Sequence, residues 1–176
     1  MAENKIIRCT LEDHAQPILE ILNEAILNST ALYDYKARPF ESMLHWFRVK
    51  TENNLPVIGI ENENGDLLGF GSYGSFRGWP AYKYTVEHSV YVHKDFRCQG
   101  LGSILLKELI AEAEKNGMHS IIGGIDAENA GSIALHKKLG FEYVGTLNQV
   151  GFKFGRWLNL AFFQLLLETP SNPCDG

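Results

Sequence analysis

The stretch that most constrains this chain covers residues 86–102 and reads VEHSVYVHKDFRCQGLG. An alternating apolar and polar run, typical of a β-strand, leads into a loop with Arg97, Gly100 and Gly102, and this loop opens a helix. Backbone N–H groups at a helix N-terminus and the positive end of the helix dipole together form a site for a phosphate or diphosphate. The glycines let an anion approach the backbone closely, and the arginine adds positive charge. The sequence therefore predicts a strand–loop–helix anion site.

Two common nucleotide-binding motifs do not fit this loop. A dinucleotide fingerprint, GxGxxG, needs a third glycine at position 105, where the chain has Leu105. A Walker loop needs Lys and then Ser or Thr after its last glycine, whereas Gly102 is followed by Ser103 and Ile104. Taken alone, the loop is also compatible with a tight turn that only serves packing.

Hydrophobic periodicity predicts seven strands and four helices. The strands are expected at residues 6–8, 56–60, 67–73, 84–92, 120–126, 141–149 and 156–167. The helices are expected from Thr10 to about residue 27, after Pro39, and at residues 100–116 and 129–139. This order suggests an α/β domain with a mixed central β-sheet flanked by helices over residues 1–168. The tail, residues 169–176, has two prolines and no apolar pattern, and it is predicted to be disordered.

The amino-acid composition limits the kinds of partner that this domain is expected to bind. The 176 residues carry a net charge of -5, which disfavours nucleic-acid binding because phosphate contacts require clustered Lys and Arg. No signal peptide and no membrane-spanning segment are recognised. Cys9, Cys98 and Cys174 form no disulfide framework, so a reducing cytoplasm is expected. None of the six histidines has HExxH spacing, and no metal site is predicted.

Two segments resemble the signatures of the GNAT acetyltransferase superfamily. Residues 97–102, RCQGLG, resemble its diphosphate loop, RxxGxG/A, and residues 129–141, NAGSIALHKKLGF, resemble its second signature, NxxSxxLYxKxGF. Residues 75–77, 85–92 (TVEHSVYV) and 150–157 (VGFKFGRW) are similar to the branch that N-acetylates phosphinothricin and methionine sulfoximine. The resemblance extends over nearly the whole chain.

The resemblance implies that acetyl-CoA is the acetyl donor and that the amine attacks it directly, so that Cys98 is not a nucleophile. The pantetheine arm is expected along the strand, the diphosphate on the loop, and Asn129 further along the cofactor. The implied cofactor-binding residues are Val90, Tyr91, Val92, Arg97, Cys98, Gln99, Gly100, Leu101, Gly102, Asn129 and Ser132.

The implied partner is a small amino-acid substrate that contacts Ser75, Phe76, Arg77, Thr85, Val86 and Glu87. Glu87 shares one strand face with polar residues and is the candidate general base for the amine. Arg77 carries a planar fork that matches the substrate carboxylate. His136 stands where many superfamily members have a tyrosine that protonates the departing thiolate. It could serve as that acid, as part of the base with Glu87, or in packing.

These features predict an enzyme that transfers the acetyl group of acetyl-CoA to the α-amine of a small amino acid. Some phosphinothricin-directed members have histidines where this chain has Phe154 and Leu158, which favours methionine sulfoximine or methionine sulfone as the acceptor. The alternatives are transfer to another small amine or a protein N-terminus, and a non-catalytic acyl-CoA sensor. The branch also implies a homodimer, with the 150–157 hairpin near the interface.

Overall fold

The computed structural model describes residues 4–175, and this part of the chain forms seven strands and four helices in the predicted order. The strands are β1 (Lys5–Arg8), β2 (Val57–Glu61), β3 (Leu67–Ser75), β4 (Thr85–Val92), β5 (Ser120–Asp126), β6 (Glu142–Lys153) and β7 (Arg156–Leu166). The helices are α1 (Leu11–Asn28), α2 (Glu41–Glu52), α3 (Leu101–Lys115) and α4 (Ala130–Lys138). Short 3₁₀ helices at Pro80–Tyr82 and Lys94–Phe96 precede and follow β4.

The strands form one mixed sheet in the order β1-β2-β3-β4-β5-β7-β6. Strands β4 and β5 run parallel, with Thr85 opposite Ser120 and Glu87 opposite Ile122. The pairs β1–β2, β2–β3, β5–β7 and β6–β7 are antiparallel. The predicted α/β class with a mixed sheet and helices is confirmed.

The first of two compact units comprises the chain up to Tyr73 together with Ser89–Leu109. Helix α1 begins where the sequence predicts, because the Thr10 hydroxyl accepts a hydrogen bond from the Asp13 N–H at 3.2 Å. Apolar residues from α1, α2, β2 and β3 form the core of this unit: Ala15, Ile18, Leu19, Ile21, Leu22, Met43, Phe47, Val57, Leu67 and Phe70.

The second unit comprises Gly74–His88 together with the chain from Ile110 onward. Strand β6 continues to Lys153, beyond the predicted end at residue 149, because a bulge with Gln149 at φ 55 lets the pairing resume. The turn between β6 and β7 lies at Phe154 and Gly155, which both have positive φ. Residues 153, 156 and 157 flank this turn, as predicted.

The segment after β7 makes hydrogen bonds within the second unit. The Thr169 hydroxyl donates to the Met118 carbonyl, and the Cys174 N–H donates to the Tyr84 hydroxyl at 3.2 Å. The sequence predicts disorder for residues 169–176 and a single domain over residues 1–168, and both statements stay predictions. Within residues 4–175, no helix is long and apolar enough to cross a membrane.

Candidate active site

The end of β3 and the start of β4 bring the predicted substrate-binding residues together in the second unit. The Phe76 N–H donates to the Thr85 carbonyl at 3.3 Å, which places the 75–77 segment beside the first residue of β4. Ser75 and Arg77 are exposed. Val86 is only 3% exposed, so its side chain belongs to the core and only its backbone is available to a ligand.

Glu87 projects from the open face of β4, whereas its neighbours Val86 and His88 are buried on the other face. Partial burial raises the pKa of the Glu87 carboxyl, and the positive charge of Arg77 lowers it in part. A Cβ at Gly124 would lie 3.1 Å from Glu87 Oε1, so a side chain there would require the carboxylate to shift by a few tenths of an ångström. The site therefore holds a carboxylate that takes up a proton more readily than an ordinary glutamate.

Arg77 belongs to a cluster of aromatic side chains. Its guanidinium carbon lies 5.1 Å from the centre of the Phe76 ring. Phe76 contacts Tyr82 edge to face at 5.8 Å between ring centres, and Tyr82 contacts Trp79 at 6.5 Å. The cluster presents a cationic fork beside apolar surface, which suits a carboxylate carried on a small, partly apolar molecule.

His136 lies in the core of the second unit and pairs with a histidine that the sequence analysis does not single out. Its Nε2 lies 2.9 Å from Nε2 of His88, and the two rings stack with centres 5.0 Å apart and planes 22° apart. The other nitrogen, Nδ1, lies 2.7 Å from the Ser132 carbonyl oxygen. Burial lowers the pKa of His88 to about 3, with a further contribution from His136, and burial also lowers the pKa of His136.

Gly123 makes room for this pair. A Cβ at this position would lie 3.0 Å from Nε2 of both histidines, so both rings would have to shift to accommodate a larger residue. His88, Gly123 and Gly124 thus belong to the candidate site, and the sequence alone did not point to them. Two consecutive glycines inside a buried strand are the signal that could have found them, because a glycine within a strand marks a close approach.

The predicted diphosphate loop lies in the first unit. Cys98 and Gly100 have φ of 64 and 80, so the chain turns sharply before α3 begins at Leu101. No heavy atom lies within 4 Å of the place where a Cβ on Gly100 would stand, which leaves this part of the loop open to an anion. The Arg97 guanidinium donates to the carboxylate of Glu24 on α1 and, at 3.4 Å, to the Val92 carbonyl. The predicted diphosphate position therefore lies at a sharp turn immediately before α3.

The predicted cofactor contacts in the second unit lie at the start of α4. The Asn129 side-chain oxygen accepts a hydrogen bond from the Ser132 N–H at 3.0 Å and so caps the helix. Both residues therefore lie in the first turn of α4, and His136 follows one turn later on the same helix.

The β6–β7 hairpin exposes an unusual amount of apolar surface. Phe154 in its turn is 57% exposed, whereas Leu158 is only 1% exposed and packs in the core. The other exposed apolar residues of the hairpin are Tyr143, Val144, Leu147, Val150, Phe152, Trp157 and Leu166.

The cysteines Cys9, Cys98 and Cys174 are free thiols. Within residues 4–175, no group of three or more His, Cys, Asp or Glu side chains is arranged to hold a metal ion.

The sequence matches the family described as the acetyltransferase (GNAT) family over residues 18–141. It is 42% identical to an L-methionine sulfoximine/L-methionine sulfone acetyltransferase of Salmonella typhimurium over 89% of this chain and 91% of that protein.

Two solved structures share the fold over almost the whole chain. A candidate acetyltransferase from Acinetobacter baylyi superimposes with a TM-score of 0.99 at 58% identity, covering 100% of this chain and 98% of that one. A GNAT superfamily phosphinothricin acetyltransferase from Sinorhizobium meliloti, in complex with acetyl-CoA, gives a TM-score of 0.91 at 33% identity, covering 97% and 92%.

Proposed function

We propose that this chain, which belongs to the GNAT family of acetyltransferases and is an acetyl-CoA-dependent N-acetyltransferase, acetylates the α-amine of a small amino acid. The observation that carries this choice of acceptor is the pair of Glu87 and Arg77 in the second unit. An amino acid offers an ammonium group and a carboxylate close together, and these two side chains match those two charges.

Glu87 removes a proton from the ammonium group, either directly or through a water molecule. The amine attacks only in its neutral form, so a base near it is required. The raised pKa of Glu87, which burial causes, makes its carboxylate a better proton acceptor at neutral pH than an exposed glutamate. Arg77 binds the carboxylate of the substrate and so orients the amine.

The residues that would hold acetyl-CoA fit this cosubstrate, which supplies the acetyl group as a thioester reactive toward amines. The amides of residues 97–102 and the N-terminus of α3 would bind the diphosphate, with the charge of Arg97 nearby. The backbone of residues 90–92 would hydrogen-bond the pantetheine arm, and a backbone N–H there would polarise the thioester carbonyl. Asn129 and Ser132 are the proposed contacts on α4.

The sequence leaves three roles open for His136: the acid that protonates the thiolate, a part of the base, or packing. We assign it a role in packing. Both of its ring nitrogens already take part in hydrogen bonds, to His88 and to Ser132. Proton removal from the amine is therefore assigned to Glu87 alone.

We propose that the enzyme acetylates methionine sulfoximine and methionine sulfone more efficiently than phosphinothricin. The similarity to the Salmonella protein, at 42% identity, exceeds that to the phosphinothricin acetyltransferase structure, at 33%. The exposed Phe154 makes the turn of the hairpin more apolar than a histidine would. Acetylation would also inactivate toxic amino acids of this type, so resistance to them is a proposed consequence.

We place the protein in the cytoplasm as a homodimer. Three free thiols suit a reducing compartment. The exposed apolar residues of the β6–β7 hairpin suit an interface with a second copy, because monomers rarely leave large apolar patches in water.

The dimer is tested by the mass of the protein in solution. Sedimentation at micromolar concentration should give twice the 19.8 kDa of one chain, and a monomer mass would contradict the dimer.

Replacing Glu87 by Gln removes the proposed base with little change in shape. We expect kcat with methionine sulfone to fall by a factor of about 10² to 10⁴, while acetyl-CoA still binds. In the wild-type enzyme kcat/KM should fall as the pH drops through the raised pKa of Glu87, and this acid limb should be lost in the variant. Glu142→Gln, which changes an exposed strand carboxylate, is the matched control and should retain wild-type kcat.

Replacing Arg77 by Ala tests the carboxylate contact. Loss of a hydrogen bond between charged groups should raise the KM of the amino acid by roughly 10- to 100-fold, with the KM of acetyl-CoA unchanged. The wild-type enzyme should lose a similar factor on the carboxamide of the same substrate. Lys83→Ala, an exposed cation of the same segment, is the control. A wild-type KM in the Arg77 variant would show that Arg77 does not bind the carboxylate.

A further inference from the structure

The hydrogen bonds around His136 determine where its protons lie. The Ser132 carbonyl oxygen can only accept, so Nδ1 of His136, 2.7 Å away, carries a hydrogen. A neutral imidazole carries one hydrogen on nitrogen, and Nε2 of His136 is therefore bare. The contact of 2.9 Å to His88 then requires that Nε2 of His88 is the donor. The two histidines thus have opposite tautomers.

The surroundings of the pair favour its neutral form. His136 and His88 are only 4% and 8% exposed, and Phe141 packs its ring against both. The Phe163 ring centre lies 6.2 Å from that of His136, and Gly123 lies next to Nε2 of both rings. The titratable group that acts on His88 is His136 itself. A positive charge here would have no partner of opposite sign among these neighbours and would be costly to bury.

The remaining nitrogen of the pair agrees with this assignment. Nδ1 of His88 is buried and has no hydrogen-bond partner within the described residues. A protonated Nδ1 would leave an N–H donor unsatisfied in the core and would make His88 a cation, which costs more than an unused lone pair. The two hydrogen bonds therefore point in the same direction: Nε2–H of His88 donates to His136, and Nδ1–H of His136 donates to the Ser132 carbonyl.

We propose that His88 is a positioning residue: by donating its Nε2–H to His136, it holds the His136 ring against the Ser132 carbonyl and so fixes the first turn of α4. That turn carries Asn129 and Ser132, the proposed contacts to acetyl-CoA, and His88 is the strand neighbour of Glu87. Through these two hydrogen bonds, strand β4, which carries the proposed base, also sets the position of the first turn of α4, which carries the proposed cofactor contacts. The catalytic part of this inference rests on the proposed function, whereas the proton assignment does not.

The proton assignment is tested on the unmodified protein by ¹⁵N NMR of the histidine rings. At pH 6 we expect His136 to have a protonated Nδ1 and a bare Nε2, and His88 to have the reverse. Signals are assigned by comparison with His88→Gln and His136→Gln. Two rings of the same tautomer, or a doubly protonated ring at this pH, would overturn the assignment whether or not the protein acetylates anything.

The positioning role is tested by two replacements of His88. Gln can still donate an N–H to His136, whereas Leu cannot. We expect His88→Leu to raise the KM of acetyl-CoA on the order of tenfold while the KM of the amino acid stays unchanged, since one hydrogen bond in the core is lost. His88→Gln should recover most of this loss. In the Leu variant, the ¹⁵N signal of His136 Nε2 should move, because the donor that occupies this nitrogen is gone.

A structural role alone would predict a different pattern. Lower stability without a change in the KM of acetyl-CoA, or an equal loss in the Gln and Leu variants, would overturn the positioning role. His119→Leu, which changes a histidine bound to the Thr169 carbonyl, is the control and should leave the ¹⁵N signals of His136 and the KM of acetyl-CoA unchanged. If His88→Leu does not fold, the wild-type spectrum and the Gln variant still decide the question.

Discussion

The close approach of side chains to the backbone of β5 is the constraint on which the candidate active site depends. Gly123 and Gly124 are consecutive, so they face opposite sides of the sheet, and each leaves room for groups that a Cβ would displace. Nε2 of both histidines lies next to Gly123, and the carboxylate of Glu87 lies next to Gly124 on the opposite face. A Cβ at either position would come within 3.0 to 3.1 Å of these groups and would require them to shift slightly. The cost of two glycines within a strand is offset by this arrangement.

The two faces of β4 serve different purposes at this point. The open face presents Glu87, and partial burial raises the pKa of its carboxyl. The closed face carries His88 into the core, where the pair with His136 is kept neutral. Strand alternation alone therefore separates the proposed base from a buried pair of hydrogen-bonded histidines one residue away.

Much of the fold is predictable from the sequence because local signals agree with it. Thr10 caps α1 through its hydroxyl, the glycine-rich loop precedes α3, and Asn129 caps α4. The face of β4 that carries Glu87 follows from the alternation of polar and apolar residues. The family resemblance adds the cofactor and the kind of acceptor, which no spacing of residues could supply.

The parts that could not be predicted depend on contacts between residues distant in the chain. The His88–His136 bond joins residues 48 positions apart, and its proton assignment depends on a carbonyl that the sequence does not mark. The Arg97–Glu24 ion pair spans 73 positions. Leu158 stands where some phosphinothricin-directed members have a histidine, and the packing of β7 buries it. Periodicity predicts which face of an element is buried, but not which side chain it meets there.

The proposed reaction is tested most directly by the release of free CoA from acetyl-CoA, followed as thiol, with methionine sulfone as the acceptor and with its Nα-methylated and carboxamide forms in parallel. We expect rapid release with methionine sulfone, which depends on a free α-amine and a carboxylate, and much slower release with the other two. Equal rates with all three compounds, or no release with methionine sulfone by a protein that binds acetyl-CoA, would contradict it.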